Sequence, residues 1–424
     1  MKYLILGAGA AGVNAARAIR ETDPHGEIII VSKDDRAYSR PLLHHVISQS
    51  RTPEKAVFAE DSFFEEYNIR RLTGLEAVSL DTSQNEVLLS DGQTLCYDRL
   101  LIATGASSAF PPIENLVWGK QVTGLRNIED VRKINAYSQK TSSAVVIGAG
   151  LIGMDAAYSL VRQGVKVSVV EMAANILPLQ LDPYAAGLYE KLFRDQGAEF
   201  FFCETVSSIA LDSDNNVLGA QLKSGKFIPC GMVIVAAGVI PNHRFLINTP
   251  IETGRGIKVD SFQQTSVSGV YAAGDVCESL ETFTQKVAVT PVWPSAVKQG
   301  QVAGYNMAGI SKKINDNFAY MNSMTFFGIP SISFGLIKSP DNSYRELVFQ
   351  NSLTYKKFIL KDGLIRGAVI QGDISGAGLI GELIKSGIDI SRIENKLFQL
   401  SYADFFSQKE NGEFSFSQSK QCFL

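Results

Sequence analysis

Two strings, LGAGAAGV (6–13) and IGAGLIGM (147–154), carry the pattern GxGxxG, and a third, AYSRPLLHHVI (37–47), carries two adjacent histidines beside an Arg-Pro pair. The glycine pattern does its chemistry as a backbone cradle. Its first glycine permits a tight strand-to-helix turn, its second lets main chain approach a pyrophosphate, and its third lets the helix lie close on the strand. The helix N-terminus then meets the phosphate charge with its dipole. A carboxylate about 20 residues further on accepts from a ribose 2′-hydroxyl. Adjacent histidines invite a metal reading. Neighbouring side chains diverge, however, and no partner cluster is visible around His44 and His45, so no metal site is expected.

The elements that must position these groups flank them. Tyr3–Leu6 is a short apolar run suited to a buried parallel strand, VNAARAIRE (13–21) is a run of helix formers, and EIIIV (27–31) is a second buried strand. Gly7, Gly9 and Gly12 therefore sit in a β-α-β unit, the context that gives the pattern meaning. At the acid's position this copy has Ser32, a weaker partner for a ribose hydroxyl, with Asp34 and Asp35 just beyond and their roles open. In the second copy Gly148, Gly150 and Gly153 follow the strand Ala144–Ile147, and the strand Lys166–Val170 ends at Glu171, 18 residues past the last glycine. No Lys or Arg follows until Lys191, so nothing nearby would hold a 2′-phosphate, and NADH is expected over NADPH.

A second repeat accompanies the first. YDRLLIATGAS (97–107) and GMVIVAAGVIPN (231–242) each run from an apolar strand into small residues that let a crossing backbone pass close to a bound dinucleotide. VSGVYAAGDV (267–276) is a strand ending in Gly274-Asp275, and VWPSAVKQGQVAGYNMAG (292–309) reads as a helix whose start faces a ring or phosphate. YKKFILKDGLIRGAVIQGD (355–373) alternates around an Asp-Gly turn as a β-hairpin does, and GAGLIGELIKSG follows as a helix.

With 424 residues the chain is too long for one ordinary core. It is 45% hydrophobic and 20% charged with a formal charge of −3, and it holds no basic run, which argues against nucleic acid as a partner. No apolar stretch approaches the roughly 18 residues that span a bilayer, and the glycines of the opening MKYLILGAGAAGV speak against a signal peptide. Cys96, Cys203, Cys230, Cys277 and Cys422 are scattered and odd in number, which suits reduced, buried thiols in a cytoplasm.

Taken in order, the first glycine motif, Ala103-Thr104-Gly105, the second motif with Glu171, and Gly274-Asp275 resemble the FAD-dependent pyridine nucleotide–disulfide oxidoreductase superfamily. YSRPLL, WPSAVKQG and the C-terminal hairpin string make the chain similar to rubredoxin and ferredoxin reductases and to the flavin portion of assimilatory nitrite reductases. The resemblance implies an α/β fold of two Rossmann-like three-layer domains: FAD-binding over 1–111 and 243–320, and NAD-binding over 112–242. An α+β interface domain with an aromatic-rich tail is implied over 321–424. It places FAD on Gly7, Ala8, Gly9, Ala10, Ala11, Gly12, Ser32, Lys33, Arg40, Pro41, Ala77, Ala103, Thr104, Gly105, Gly274, Asp275, Val292 and Trp293. NADH falls on Gly148, Gly150, Leu151, Ile152, Gly153, Glu171, Ala237 and Gly238. In relatives the C-terminal domain makes dimers or covers the flavin, so a homodimer is an expectation. The tail's Phe398, Tyr402, Phe405, Phe406, Phe414, Phe416 and Phe423 either pack on the body or dock a partner.

Members of this superfamily that reduce disulfides or peroxide keep one or two redox cysteines where this chain reads AYSRPLLHHVISQS, which has none. The resemblance therefore implies that electrons leave the flavin for an external one-electron carrier of the rubredoxin or ferredoxin type, or for partner subunits of a complex. An NADH oxidase and a non-catalytic flavoprotein scaffold are the alternatives. Relatives often carry a Glu at the place of Asp155, paired with a Lys whose position falls on His45 here. The expectation is thus an Asp155–His45 pair, with His44 second, in which the carboxylate raises the imidazole pKa beside the reacting ring.

Overall fold

The computed structural model describes residues 1–119, 121–408 and 414–416. The chain opens with β1 (Lys2–Leu6), helix α1 (Ala10–Thr22), β2 (Glu27–Ser32), a short helix α2 (Leu43–Ile47), β3 (Ile69–Thr73) and β4 (Arg99–Ile102). It then enters a second unit: β5 (Val122–Thr123), α3 (Ile128–Ser138), β6 (Ser143–Ile147), α4 (Leu151–Arg162), β7 (Lys166–Glu171), α5 (Pro183–Asp195), β8 (Glu199–Phe202) and β9 (Met232–Val235). It returns with β10 (Val270–Ala272) and α6 (Trp293–Met307).

The two units repeat one topology. The first sheet runs β10-β4-β1-β2-β3 and the second β5-β9-β6-β7-β8, both parallel throughout. Strands buried on both faces need near-continuous apolar sequence, and β1, β6 and β9 supply it. A two-stranded ribbon, Ala106–Ser108 against Val239–Pro241, carries the chain out and back between the units. Helices α1 and α6 pack in the first unit at close range. A Cβ at Gly300 would overlap the Ala11 carbonyl, and one at Gly304 would meet the Ala15 carbonyl at 2.5 Å.

A third sheet follows: β11 (Met321–Phe326), β12 (Ile329–Gly335), β13 (Arg345–Gln350), β14 (Tyr355–Lys361) and β15 (Leu364–Gln371), antiparallel in the order β11-β12-β15-β14-β13. Asp362 (φ +51°) and Gly363 (φ +73°) form the expected Asp-Gly turn, and α7 (Ala377–Ser386) follows. One face of this sheet buries α7. The other meets the second unit, where Phe326 packs on Tyr189 and Phe193 with ring centroids 5.1 and 5.4 Å away. Tyr189 donates to the Ile329 carbonyl (2.7 Å) and accepts from Ser331 (2.8 Å), and the Tyr355 hydroxyl donates to Asp182 (2.6 Å).

Of the tail, Leu397 and Phe405 are buried in the C-terminal core and Phe398 packs against Phe349 and Phe358, whereas Tyr402 is exposed. The backbones of Phe406–Gln408 and Phe414–Phe416 pair antiparallel. Phe423 and Cys422 lie outside the described residues. The cysteines are not uniformly buried: Cys230 and Cys277 are, but Cys96 and Cys203 are exposed. Among the described residues no helix is long and apolar enough to cross a membrane, and no cluster of His, Cys, Asp and Glu could hold a metal ion.

Candidate active site

The two glycine turns are superimposable in their physical logic. Gly7 and Gly148 lie at φ +117° and +102°, a region that disfavours a side chain, and a Cβ on either would collide with the Ala103 or Ala236 carbonyl of the adjacent strand end. A Cβ at Gly12 or Gly153 would overlap the carbonyl of its own first glycine. The middle glycines are different. A Cβ at Gly150 would meet nothing within 4 Å, and at Gly9 only the Arg40 guanidinium at 3.9 Å. These are the positions at which a pyrophosphate would lie against bare backbone.

Capping supports the fit. Helix α3 is closed by an Asn127–Asp130 capping box and α5 by Asp182, but α1, α4 and α6 have no side-chain cap and no acid in the first turn. Their first N–H groups, which lack intrahelical partners, are left to an anion or a polar ring edge. Alanines at positions 8, 10 and 11 and Leu151 and Ile152 form the turns around them.

Around the first cradle, Arg40 is held by Asp34 (2.8 Å) and lies over the Tyr38 ring, 5.1 Å from its centroid. Asp34 thus orients a cation over the glycine turn, which answers what the sequence left open for it. Ser32 is buried and its hydroxyl accepts from the Asp34 N–H (3.2 Å); Lys33 pairs with Glu76 at the surface (2.6 Å). Ala77 opens a three-stranded side sheet (77–96), two residues past Leu75, whose N–H donates to the Ser32 carbonyl. Thr104 donates its hydroxyl to the Asn242 carbonyl (2.7 Å) and its own carbonyl accepts from the Asn242 amide (3.0 Å), so it ties the crossing ribbon. Pro41 is the exposed middle residue of a 3₁₀ turn, Val292 precedes α6, and Trp293 packs edge-on against Phe58.

Asp275 is ion-paired with Arg126, which also donates to the Ala106 carbonyl (2.9 Å). Sequence reading missed Arg126. Its one local signal is its place just before the capping box of α3, where its N–H donates to Asp130 (2.8 Å). At the second cradle both oxygens of Glu171 accept main-chain N–H groups, from Ala149 (2.6 Å) and Ala173 (2.8 Å). Two of the carboxylate's roughly four acceptor directions stay open for ribose hydroxyls. Ala237 and Gly238 follow β9 and are exposed.

The Asp155 pairing needs correction. His44, not His45, faces Asp155, with Nδ1 3.5 Å from the carboxyl. His45 turns outward, stacks on His44 with centroids 4.0 Å apart, and bonds Ser50 (3.3 Å). Helical phase explains this. The buried residues Leu43, Val46 and Ile47 define the inward face of α2, and at about 100° per residue His44 borders that face while His45 lies opposite. The expected sign of the pKa effect also reverses. Burial, and then the neighbouring His45, push His44 down to about 4, while burial pushes Asp155 up to about 7. Near neutral pH the pair is a neutral imidazole beside a carboxyl that still holds much of its proton. Ser159 fixes the helices that carry them, reaching the carbonyls of both His44 (2.9 Å) and Asp155 (2.8 Å).

Two bare glycine turns that would suit a pyrophosphate, joined by a crossing ribbon, with a cation over one and a partly free carboxylate at the other, fit a dinucleotide-dependent flavin oxidoreductase. Residues 1–300 match the family described as pyridine nucleotide-disulphide oxidoreductase, and residues 321–388 match the rubredoxin NAD+ reductase C-terminal domain. The chain belongs to the pyridine nucleotide-disulphide oxidoreductase family, and its cofactors are FAD and NADH. It is 31% identical over 402 residues to the epsilon subunit of the NADH-dependent phenylglyoxylate dehydrogenase of Aromatoleum evansii, spanning 93% of this chain and 94% of that one. It is 33% identical over 326 residues to an NADH oxidase of Methanocaldococcus jannaschii, spanning 74% and 71% of the two chains. Among solved structures it is similar to NADH:rubredoxin oxidoreductase from Clostridium acetobutylicum, with a TM-score of 0.75, 25% identity and 93% and 97% of the chains covered.

Proposed function

We propose that this chain takes electrons from NADH and passes them singly to an external redox protein, as the flavin-bearing subunit of a larger oxidoreductase. The observation that carries this reading is the α2 segment. At 37–50, where thiol-using relatives hold their cysteines, it presents Arg40, Pro41 and His44 and no thiol. Two of the thiols elsewhere are poor substitutes: burial raises the pKa of Cys230 to about 11 and pushes Cys277 up as well. The full-length match to a subunit of an NADH-dependent complex supports the subunit role.

FAD, once bound, supplies the conversion of a two-electron hydride into single electrons. The chain's own residues do the rest. The N-terminus of α1 and Arg40 would hold the FAD pyrophosphate, and the N-terminus of α4 and Glu171 would hold NADH by its pyrophosphate and adenosine ribose. Asp155 and His44, one turn into α4 and on α2, keep an exchangeable proton at the end of the NADH site nearest the first unit.

The test is an anaerobic NADH titration of the holoprotein followed by addition of a rubredoxin, a [2Fe–2S] ferredoxin, or air. Rapid reoxidation by an iron–sulfur or rubredoxin carrier and slow reoxidation by air is the expected result. Air reoxidation as fast as that by any carrier would replace this reading with the NADH oxidase one, which the Methanocaldococcus jannaschii relative favours.

A further inference from the structure

We propose that Gln299 is a positioning residue that locks the two flavin-facing segments of the first unit to each other. The inference rests on FAD lying between Asp275 and the start of α6. Gln299 is wholly buried on α6, so it cannot itself touch a ligand. Its Oε1 accepts the Gly274 N–H (2.7 Å) and lies 3.4 Å from the Cys277 thiol, whose one hydrogen also has the Gly274 carbonyl in reach (3.3 Å), and its Nε2 donates to Thr290 Oγ1 and Asn317 Oδ1, both at 3.3 Å. Gly274 N can only donate, which fixes the amide orientation. At least three of the four hydrogen-bonding directions of one side-chain amide are therefore used, in a wholly buried place.

The partners are informative. Gly274 lies at φ +83° and a Cβ there would press on Ala11 of α1 (3.2 Å) and Ala296 of α6 (3.6 Å), so the turn that projects Asp275 is wedged between two helices. Its one inward-facing donor ends on Gln299. Thr290 lies three residues before the start of α6, and its carbonyl accepts the Val292 N–H (2.8 Å). Asn317 donates onward to the Leu280 carbonyl (2.8 Å) and anchors the node to the strand behind. The carboxylate of Asp275 and the N-terminus of α6 are thus not independent: a displacement of either pulls on the same amide. Gln299 sets the distance between Asp275 and the start of α6, the two segments that would flank the flavin.

Two variants test this, Gln299→Met and Thr290→Val, each freed of flavin and re-titrated with FAD by fluorescence, with the visible spectrum of the bound flavin recorded. Leaving the Gly274 N–H buried without its partner should weaken FAD binding by about ten- to a hundredfold and shift the flavin bands in Gln299→Met. Thr290→Val removes only the bond toward the start of α6, so it should shift the bands while leaving the FAD Kd within about threefold of wild type. A Gln299→Met protein with wild-type Kd and spectrum overturns the inference. So does a Thr290→Val protein with an unshifted spectrum, which decides the matter alone if Gln299→Met does not fold. The wild type is titrated in parallel; its failure to take up FAD would instead overturn the cofactor assignment.

Discussion

Replacing Asp155 with Asn should flatten a pH dependence that the wild type carries in its folding stability. The folded carboxyl sits at about 7, pushed up by burial, against an ordinary 3.8. Between those values the folded state binds a proton that the unfolded chain has released, so stability falls as pH rises through this window. From pH 5 to pH 8 the carboxyl loses its proton over about two pH units at about 1.4 kcal/mol each, a loss of about 2–3 kcal/mol. The carboxyl keeps a fifth of its surface exposed, which makes that figure an upper bound. His44 works in the opposite sense lower down. Its pKa falls from 6.5 to about 4, so it adds stability as pH rises across that range and hides part of the Asp155 slope below about 6.5. His44 is common to both proteins, so its share largely cancels when the variant is compared with the wild type. Urea midpoints of wild type and Asp155→Asn, taken at pH 5, 6.5 and 8, should show the variant gaining on the wild type, by about 2 kcal/mol from pH 5 to 6.5 and by about 1 kcal/mol from 6.5 to 8. A constant difference at all three would show that Asp155 is ionised throughout and that the neutral-pair description is wrong.

Three further perturbations follow from the packing. Glu171→Ala removes a charge-assisted acceptor of the NADH site, and steady-state kinetics should show the NADH KM raised about 10–100-fold with kcat at saturation nearly unchanged. Gly300→Ala drives a methyl into the Ala11 carbonyl; forcing α1 and α6 apart should cost about 1–3 kcal/mol by denaturant melts and release FAD on gel filtration. Lys357, buried with its ammonium 3.0 Å from Glu346 and 3.5 Å from Asp182, holds the C-terminal sheet to the cap of α5. Lys357→Met should destabilise by about 3–5 kcal/mol, and removing Glu346 as well should recover part of that loss, read as melting temperatures of the single and double variants.

What was legible in the sequence was what short-range pattern dictates. The glycine turns need their neighbours within a few residues, the Asp362-Gly363 hairpin is written in its own turn, and Glu171 is placed by strand length alone. What escaped depends on partners far apart in the chain. Arg126 meets Asp275 across 149 positions, and Asn242 ties to Thr104 across 138. No periodicity encodes such meetings; they follow from where the crossing ribbon folds back. The choice between His44 and His45 failed for a different reason. Counting from Arg40 assumes a fixed backbone phase, and the 3₁₀ turn at Arg40–Leu42 followed by one turn of α-helix sets that phase only in three dimensions. Asp34 was a case of too many options, since its role and that of Asp35 stayed open until the folded loop set Asp34 against Arg40.

The contact between the third sheet and the second unit bears on how such chains can be cut and joined. Phe326 lies against Tyr189 and Phe193, and Tyr355 bonds the aspartate that caps α5, so this sheet is glued to the nucleotide half by both grease and polar stitches. A gene ending near residue 320 would leave the face of α5 with bare aromatic rings and a buried carboxylate stripped of its phenol. Such a fragment should clump rather than behave as a smaller reductase. Any natural or engineered fusion that keeps the nucleotide half must therefore bring this sheet along, or replace it with another surface of the same shape.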